Sequence, residues 1–158
     1  MEENHLPQRK NPRLRGFDYS LPYVYFITIC TFNRRKIFVN DQLNKTIIDC
    51  LIKEKDRSGV NLYVYCLMPD HLHLLIQPEK QGVNVSNFVG SFKSKAYRLC
   101  KKFRIEGKIW QPRFYDHIVR KSEDLSEIVK YILNNPVRKN LVEKWSDYPY
   151  SGCPDKII

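Results

Sequence analysis

Two apolar runs, Val60–Leu67 and His71–Ile76, follow one another with only Met68-Pro69-Asp70 between them. Proline cannot donate to a β-ladder, so the break ends one strand and the next begins at once. Two strands so close in sequence pair as an antiparallel hairpin, and the flanking segments extend it. Tyr23–Phe32 (YVYFITICTF) is β-branched and aromatic throughout and reads as a buried central strand. Between it and the hairpin, Asn40 or Asp41 caps a helix in which Leu43, Ile47 and Leu51 recur four apart, and Gly59 ends it. A second helix runs from Ser86 to about Arg104, with Phe88, Phe92, Ala96, Leu99 and Phe103 as its apolar stripe. Lys108–Arg120 reads as a fourth strand, which Pro112 places at an edge or a bulge. Ser122 caps a third helix, in which Leu125, Ile128, Val129 and Ile132 share a face and which Pro136 closes.

The order β-α-β-β-α-β with one more helix is the α+β, ferredoxin-like split-βαβ pattern: an antiparallel sheet with helices on one face, plus an appended helix. No repeat or low-complexity tract divides the chain. The expected division is a basic N-terminal arm over residues 1–20, one domain over 21–142 and a C-terminal tail over 143–158. Arg9, Lys10, Arg13 and Arg15 cluster around Pro12 in the arm, which lacks apolar periodicity and is expected to be extended until it meets an anion.

Charge narrows the partners. Lys and Arg number 27 against 17 Asp and Glu, a net charge of +10 in 158 residues. That excess predicts a polyanion, either nucleic acid or an anionic membrane. No apolar run approaches the roughly 20 residues of a spanning helix, and Met1–Lys10 has no apolar signal-peptide region, so nucleic acid is the expected partner. The five cysteines contain no C-x-x-C pair and are odd in number, which argues against a zinc knuckle or a disulfide framework and for a reducing cytoplasm.

The segment MPDHLHLLI carries the chemistry. Side chains alternate along a strand, so His71 and His73 project to one side while Leu72, Leu74 and Ile76 project to the other. Two imidazoles on one face can converge on a metal ion; alternatively they are unconnected polar residues on a half-exposed strand. On the third helix, Tyr131 and Asn135 are i, i+4 neighbours beside the apolar face. An Asn carbonyl oxygen with two imidazoles suits Mg²⁺ or Mn²⁺. Most of the ten tyrosines read as packed rings, Tyr23, Tyr25, Tyr63 and Tyr65 among them; Tyr131 stands apart by its position.

These residues resemble a known family. MPDHLHLLI is similar to the HUH motif (His, hydrophobic, His) of single-tyrosine transposases, and IVKYILNNPVRKNLV (128–142) resembles their catalytic helix. The arm RKNPRLRGFDYS, the strand YVYFITICTFNRR and the segment IWQPRFYDHIVR resemble the REP-associated tyrosine transposases, from about Gln8 to Ser151. The resemblance implies a metal-dependent single-stranded DNA endonuclease and strand transferase acting on hairpins, such as repetitive extragenic palindromes, through a 5′-phosphotyrosine. It implies Tyr131 as nucleophile, His71, His73 and Asn135 as ligands of Mg²⁺ or Mn²⁺, and a cytoplasmic, nucleoid-associated protein, monomeric rather than dimeric. Two positions depart from the pattern: Asp70 stands where Asn is common, and Asn140 where glycine often follows the NPV segment. Asn tolerates a left-handed backbone, and Asp70 brings a negative charge beside the motif.

Charge adds the expected DNA contacts: Arg13 and Arg15 in the arm, then Lys93, Lys95, Arg98, Lys101 and Lys102 on the second helix. Arg113, Arg120, Arg138 and Lys139 are expected to flank the site. Two rival readings are a non-catalytic single-stranded nucleic-acid-binding protein on the same sheet and a metal hydrolase that activates water.

Overall fold

The structure, a computed structural model, describes residues 17–157. Its centre is the hairpin. β2 (Val60–Met68) and β3 (His71–Pro78) pair antiparallel across a two-residue turn at Pro69-Asp70. β1 (Val24–Cys30) lies antiparallel on the other side of β3, and β4 (Tyr115–Val119) pairs with the free side of β1. A two-residue β5 (Ser151–Gly152) closes the opposite edge, giving the order β4-β1-β3-β2-β5.

The helices sort by which face of the sheet they cover. α1 (Asp41–Ser58) begins at Asn40, whose side chain accepts from the Leu43 N–H, and ends at Gly59 with φ 72°. α2 (Val85–Lys102) is capped by Asn84. Leu43, Ile47 and Leu51 of α1 and Phe88, Phe92 and Ala96 of α2 pack on Tyr25, Ile27, Ile29, Leu72, Leu74 and Ile76 in the larger core. Leu74 is fully buried there, and its truncation to Ala would cost about 2–5 kcal/mol.

α3 (Leu125–Leu133) covers the other face. Its Ile128, Ile132 and Leu133 pack on Phe26, Val64, Cys66, Met68 and Leu75. A bulge between Leu62 and Val64 shifts the alternation of β2 by one residue and brings Cys66 opposite His73 and Met68 opposite His71. The fold is therefore ferredoxin-like, with α1 and α2 on one face and the appended helix on the other.

Several elements differ from the sequence expectation. The strand expected over Lys108–Arg120 is confined to its last third. Before it, Trp110 makes an isolated bridge to Thr31, Arg113 adopts φ 68°, and the Lys93 ammonium takes the carbonyls of Gln111 and Arg113 at 2.9 Å each. α3 is capped by Asp124, not Ser122, because the Asp124 carboxylate accepts from both the N–H and the hydroxyl of Ser126. The helix stops at Leu133 and restarts as α4 (Asn135–Arg138), since Pro136 has no N–H to continue the ladder. The C-terminal segment is docked: the Tyr148 hydroxyl donates to Leu67 O, and Asp155 pairs with Lys55 at 2.9 Å. Tyr23 is half-exposed rather than packed. Asn140 has φ 58°, the left-handed conformation its amide tolerates. The arm with Arg13 and Arg15 lies outside the described residues.

Candidate functional site

The period of β3 places both histidines on the α3 face, and the register supplies their surroundings. His73 lies opposite Thr28 of β1 and Cys66 of β2; His71 lies opposite Cys30 and Met68. Both rings are buried, at 4% exposure for His71 and 3% for His73. Their Nε2 atoms face each other at 3.2 Å. The opposite nitrogens are held from outside, His71 Nδ1 by Asp70 Oδ1 at 2.6 Å and His73 Nδ1 by Thr28 Oγ1 at 2.9 Å. The pair is thus one constellation and not two independent polar residues.

Burial and neighbours set the charge. Desolvation lowers the pKa of His71, and it lowers that of His73 well below the ordinary value, with the facing His71 adding to the effect. Both rings are neutral near pH 7, the form that binds metal. Asp70 is pushed down to about 2, first by the His71 hydrogen bond and, against partial burial, also by the charge of Arg34, whose Nε lies 3.3 Å from Oδ2.

α3 brings Tyr131 to the same place. Its ring centroid lies 6.5 Å from that of His73 and 6.2 Å from that of Phe26. The Arg138 guanidinium lies over the phenol ring. α4 carries Asn135, which is buried, with an Oδ1 that finds no hydrogen-bond partner among the described residues. A buried, unpaired carbonyl oxygen is costly unless something else occupies it. Among the described residues no group of three or more His, Cys, Asp or Glu side chains could hold a metal ion. A third protein ligand would have to be of another type. Two neutral imidazoles and an orphaned amide oxygen are the donor types that suit a divalent cation of intermediate hardness. The residues present fit such an ion.

The expected cations divide. Arg138 and Lys139 stand close enough for their charges to act on His73 and His71 respectively. α2 packs on the opposite face of the sheet, and three of its lysines are occupied within the fold. Lys93 caps the Gln111 and Arg113 carbonyls, Lys95 pairs with Glu54 at 2.5 Å, and Lys101 donates to Ile105 O and Gly107 O. Arg98, Lys102, Arg113 and Arg120 are exposed.

Sequence reasoning passed over Thr28 and Arg34. Thr28 could have been found as the one hydroxyl on the histidine face of an otherwise apolar strand. Arg34 reaches Asp70 from 36 residues away and left no local signal. Tyr115 and His117 of β4 also lie on this face, opposite Thr28 and Phe26.

Comparison with known proteins gives the same direction. The family model described as Transposase IS200 like matches residues 21–135. A Haemophilus influenzae protein assigned as a REP-associated tyrosine transposase is 30% identical over 145 residues, covering 85% of this chain and 82% of its own. The REP-associated tyrosine transposase of Escherichia coli K12 is 28% identical over 127 residues, with 80% and 74% covered. A solved REP-associated tyrosine transposase bound to a REP hairpin superposes with a TM-score of 0.74 at 27% identity, over 88% of this chain and 81% of that one.

Proposed function

Because the chain belongs to the IS200-like transposase family, we propose that it cleaves and rejoins single-stranded DNA beside hairpins, with Tyr131 as the covalent nucleophile. The observation that carries this reading is the packing of Tyr131 against His73 of the same chain, beside two Nε2 atoms 3.2 Å apart. One chain thus holds all the proposed parts, which supports a monomer as the proposed working unit.

His71, His73 and Asn135 would hold Mg²⁺ or Mn²⁺. Bound there, the ion supplies Lewis-acid polarisation of the scissile phosphate and offsets negative charge on its oxygens. The chain's own residues do the rest. The Tyr131 phenol oxygen bonds to phosphorus as the bond from phosphorus to the 3′-oxygen breaks. The phenol gives up its proton and the departing oxygen gains one, leaving a 3′-OH and a 5′-phosphotyrosine. The ester keeps the phosphodiester bond energy, so a 3′-OH can reverse the step without ATP. Asp70 and Thr28 orient the imidazoles, Arg138 holds the phenol ring, and Arg34 and Lys139 add positive charge around the pair.

Substrate choice follows the relative bound to a REP hairpin. Hairpin-bearing single strands are the proposed DNA, and the cytoplasm, at the nucleoid, the proposed place. Among the described residues no helix is long and apolar enough to cross a membrane.

The test is to incubate labelled hairpin-bearing single strands with protein and Mn²⁺ and to look for a denaturation-resistant adduct. Wild type should form one and Tyr131→Phe should not, although its fold and DNA affinity persist. Cleavage without any adduct would favour the hydrolase, and metal-independent binding without cleavage the non-catalytic binder.

A further inference from the structure

We propose that the two histidines hold their protons differently: Asp70 locks His71 with its proton on Nδ1, whereas Thr28 lets His73 carry its proton on either nitrogen. This deepens the reading of the pair as cation ligands and rests on it.

The lock is built from several contacts. An ionised carboxylate can only accept, and Asp70 Oδ1 at 2.6 Å from His71 Nδ1 outweighs the donor Arg34 Nη2 at 3.5 Å from the same nitrogen, so the proton sits on Nδ1 and the Nε2 lone pair is free. The carboxylate is held on its other oxygen, where Arg34 Nε donates to Oδ2 while Arg34 Nη1 donates to Cys30 Sγ at 3.0 Å. Arg34 reaches this position through two consecutive left-handed residues, Asn33 at φ 52° and Arg34 at φ 54°. Non-glycine residues adopt that conformation at a cost, and two in a row persist only where the surroundings impose them. Here the imposition is visible in the backbone. Thr31 N–H donates to Asp70 O, and the Ile37 and Phe38 N–H groups donate to Pro69 O. Residues 31–38 therefore wrap the turn that carries Asp70.

His73 has a different partner. A hydroxyl both donates and accepts, so Thr28 Oγ1 at 2.9 Å serves either proton position on His73. With His71 Nε2 bare, the 3.2 Å contact between the rings is a hydrogen bond only if His73 donates from its own Nε2. Thr28 then donates to His73 Nδ1, and the chain Thr28, His73, His71, Asp70 is satisfied in one direction. To offer both Nε2 atoms to a cation, the His73 proton must sit on Nδ1, where Thr28 turns to accept it. One ligand is preset; the other frees its lone pair by a proton shift with no change in net charge.

Long-range ¹H–¹⁵N correlations on the full chain, labelled at histidine and stripped of metal, test this directly. The expected spectrum has His71 protonated at Nδ1 and His73 at Nε2, with His73 alone moving to the Nδ1 form on addition of Mg²⁺. Mn²⁺ affinity, read by electron paramagnetic resonance without DNA, should fall about 10- to 100-fold in Asp70→Ala. Asp70→Asn keeps an acceptor oxygen and should keep the Nδ1 proton of His71. Metal-free wild type with the His71 proton on Nε2, or an Asp70→Ala spectrum and affinity matching wild type, would overturn the inference even if DNA adducts form. The expected spectra and Mn²⁺ affinities without an adduct on Tyr131 would support the inference and sink the strand-cleavage reading instead.

Discussion

The Arg138 guanidinium lies 4.0 Å from the centre of the Tyr131 ring. Six residues lie between the two, the break at Asn134 among them. A cation over the phenol face is worth about 0.5–2 kcal/mol, and here it also fixes which way the ring turns. One Arg138 nitrogen, Nη2, is buried and has no hydrogen-bond partner among the described residues.

Arg138→Ala should therefore slow adduct formation about 10- to 100-fold while lowering stability by no more than about 2 kcal/mol. Arg138→Lys keeps the charge but loses the flat stacking surface and should fall between. Single-turnover adduct assays beside urea titrations measure both. An adduct rate equal to wild type in Arg138→Ala would show that the stack is ornamental.

The histidine pair predicts a pH dependence of stability. Both folded pKa values are lowered by burial, so on acidification the unfolded chain takes up protons first. Stability is fully present above the ordinary value near 6.5 and is lost as pH falls through it toward the folded values. The urea midpoint should drop between pH 7.5 and 5.5, and His73→Gln should reduce that drop. Ring resonances of His71 and His73 that titrate at or above 6.5 would contradict the assignment.

What the sequence discloses and what it hides divides by range. Asn40 and Gly59 bound α1 because caps are local chemistry, and His71 and His73 share a face because alternation is local geometry. The lost first part of the fourth strand goes with Lys93 reaching 18 and 20 residues along the chain to two carbonyls. No window of sequence carries that contact. The same holds for Arg34 and Asp70, whose pairing rests on a left-handed turn at Asn33 that no glycine announces. Asn135 lies between the cases: Pro136 signals a break, yet which helix Asn135 joins is decided by packing.

Glu54 is a buried acid of the other face. Its side chain is 1% exposed between Arg57 of α1 and Lys95 of α2, and the Arg57 hydrogen bond, against the burial and with help from Lys95, holds its pKa at about 2. A lowered carboxyl pKa contributes stability above the unfolded value of 4.5, and that contribution is lost as pH falls toward 2. Glu54→Gln should cost up to about 3 kcal/mol at pH 7, with the gap to wild type narrowing steadily below pH 4.5. Thermal unfolding at pH 7, 4 and 2.5 checks it, and a gap independent of pH would mean that packing, not charge, is what Glu54 supplies.

The last prediction concerns which cations meet DNA. Lys93, Lys95 and Lys101 are engaged within the fold, so their replacement should lower stability more than it alters the salt dependence of binding. Arg138 and Lys139 stand by the histidine pair, whereas Arg98 and Lys102 are exposed on the helix that packs against the opposite face. Each phosphate contact to a single strand contributes about 0.7 to the log–log slope of affinity against salt. If the strand crosses the histidine face, Arg138→Ala and Lys139→Ala should each reduce the slope by roughly that amount. Arg98→Ala and Lys102→Ala should leave it unchanged. Fluorescence anisotropy with a hairpin-bearing single strand over a series of salt concentrations separates the two sets. A slope that responds to Arg98 and Lys102 but not to Arg138 and Lys139 would put the DNA on α2, on the far side of the sheet from Tyr131, and cleavage by that tyrosine could not then follow from binding.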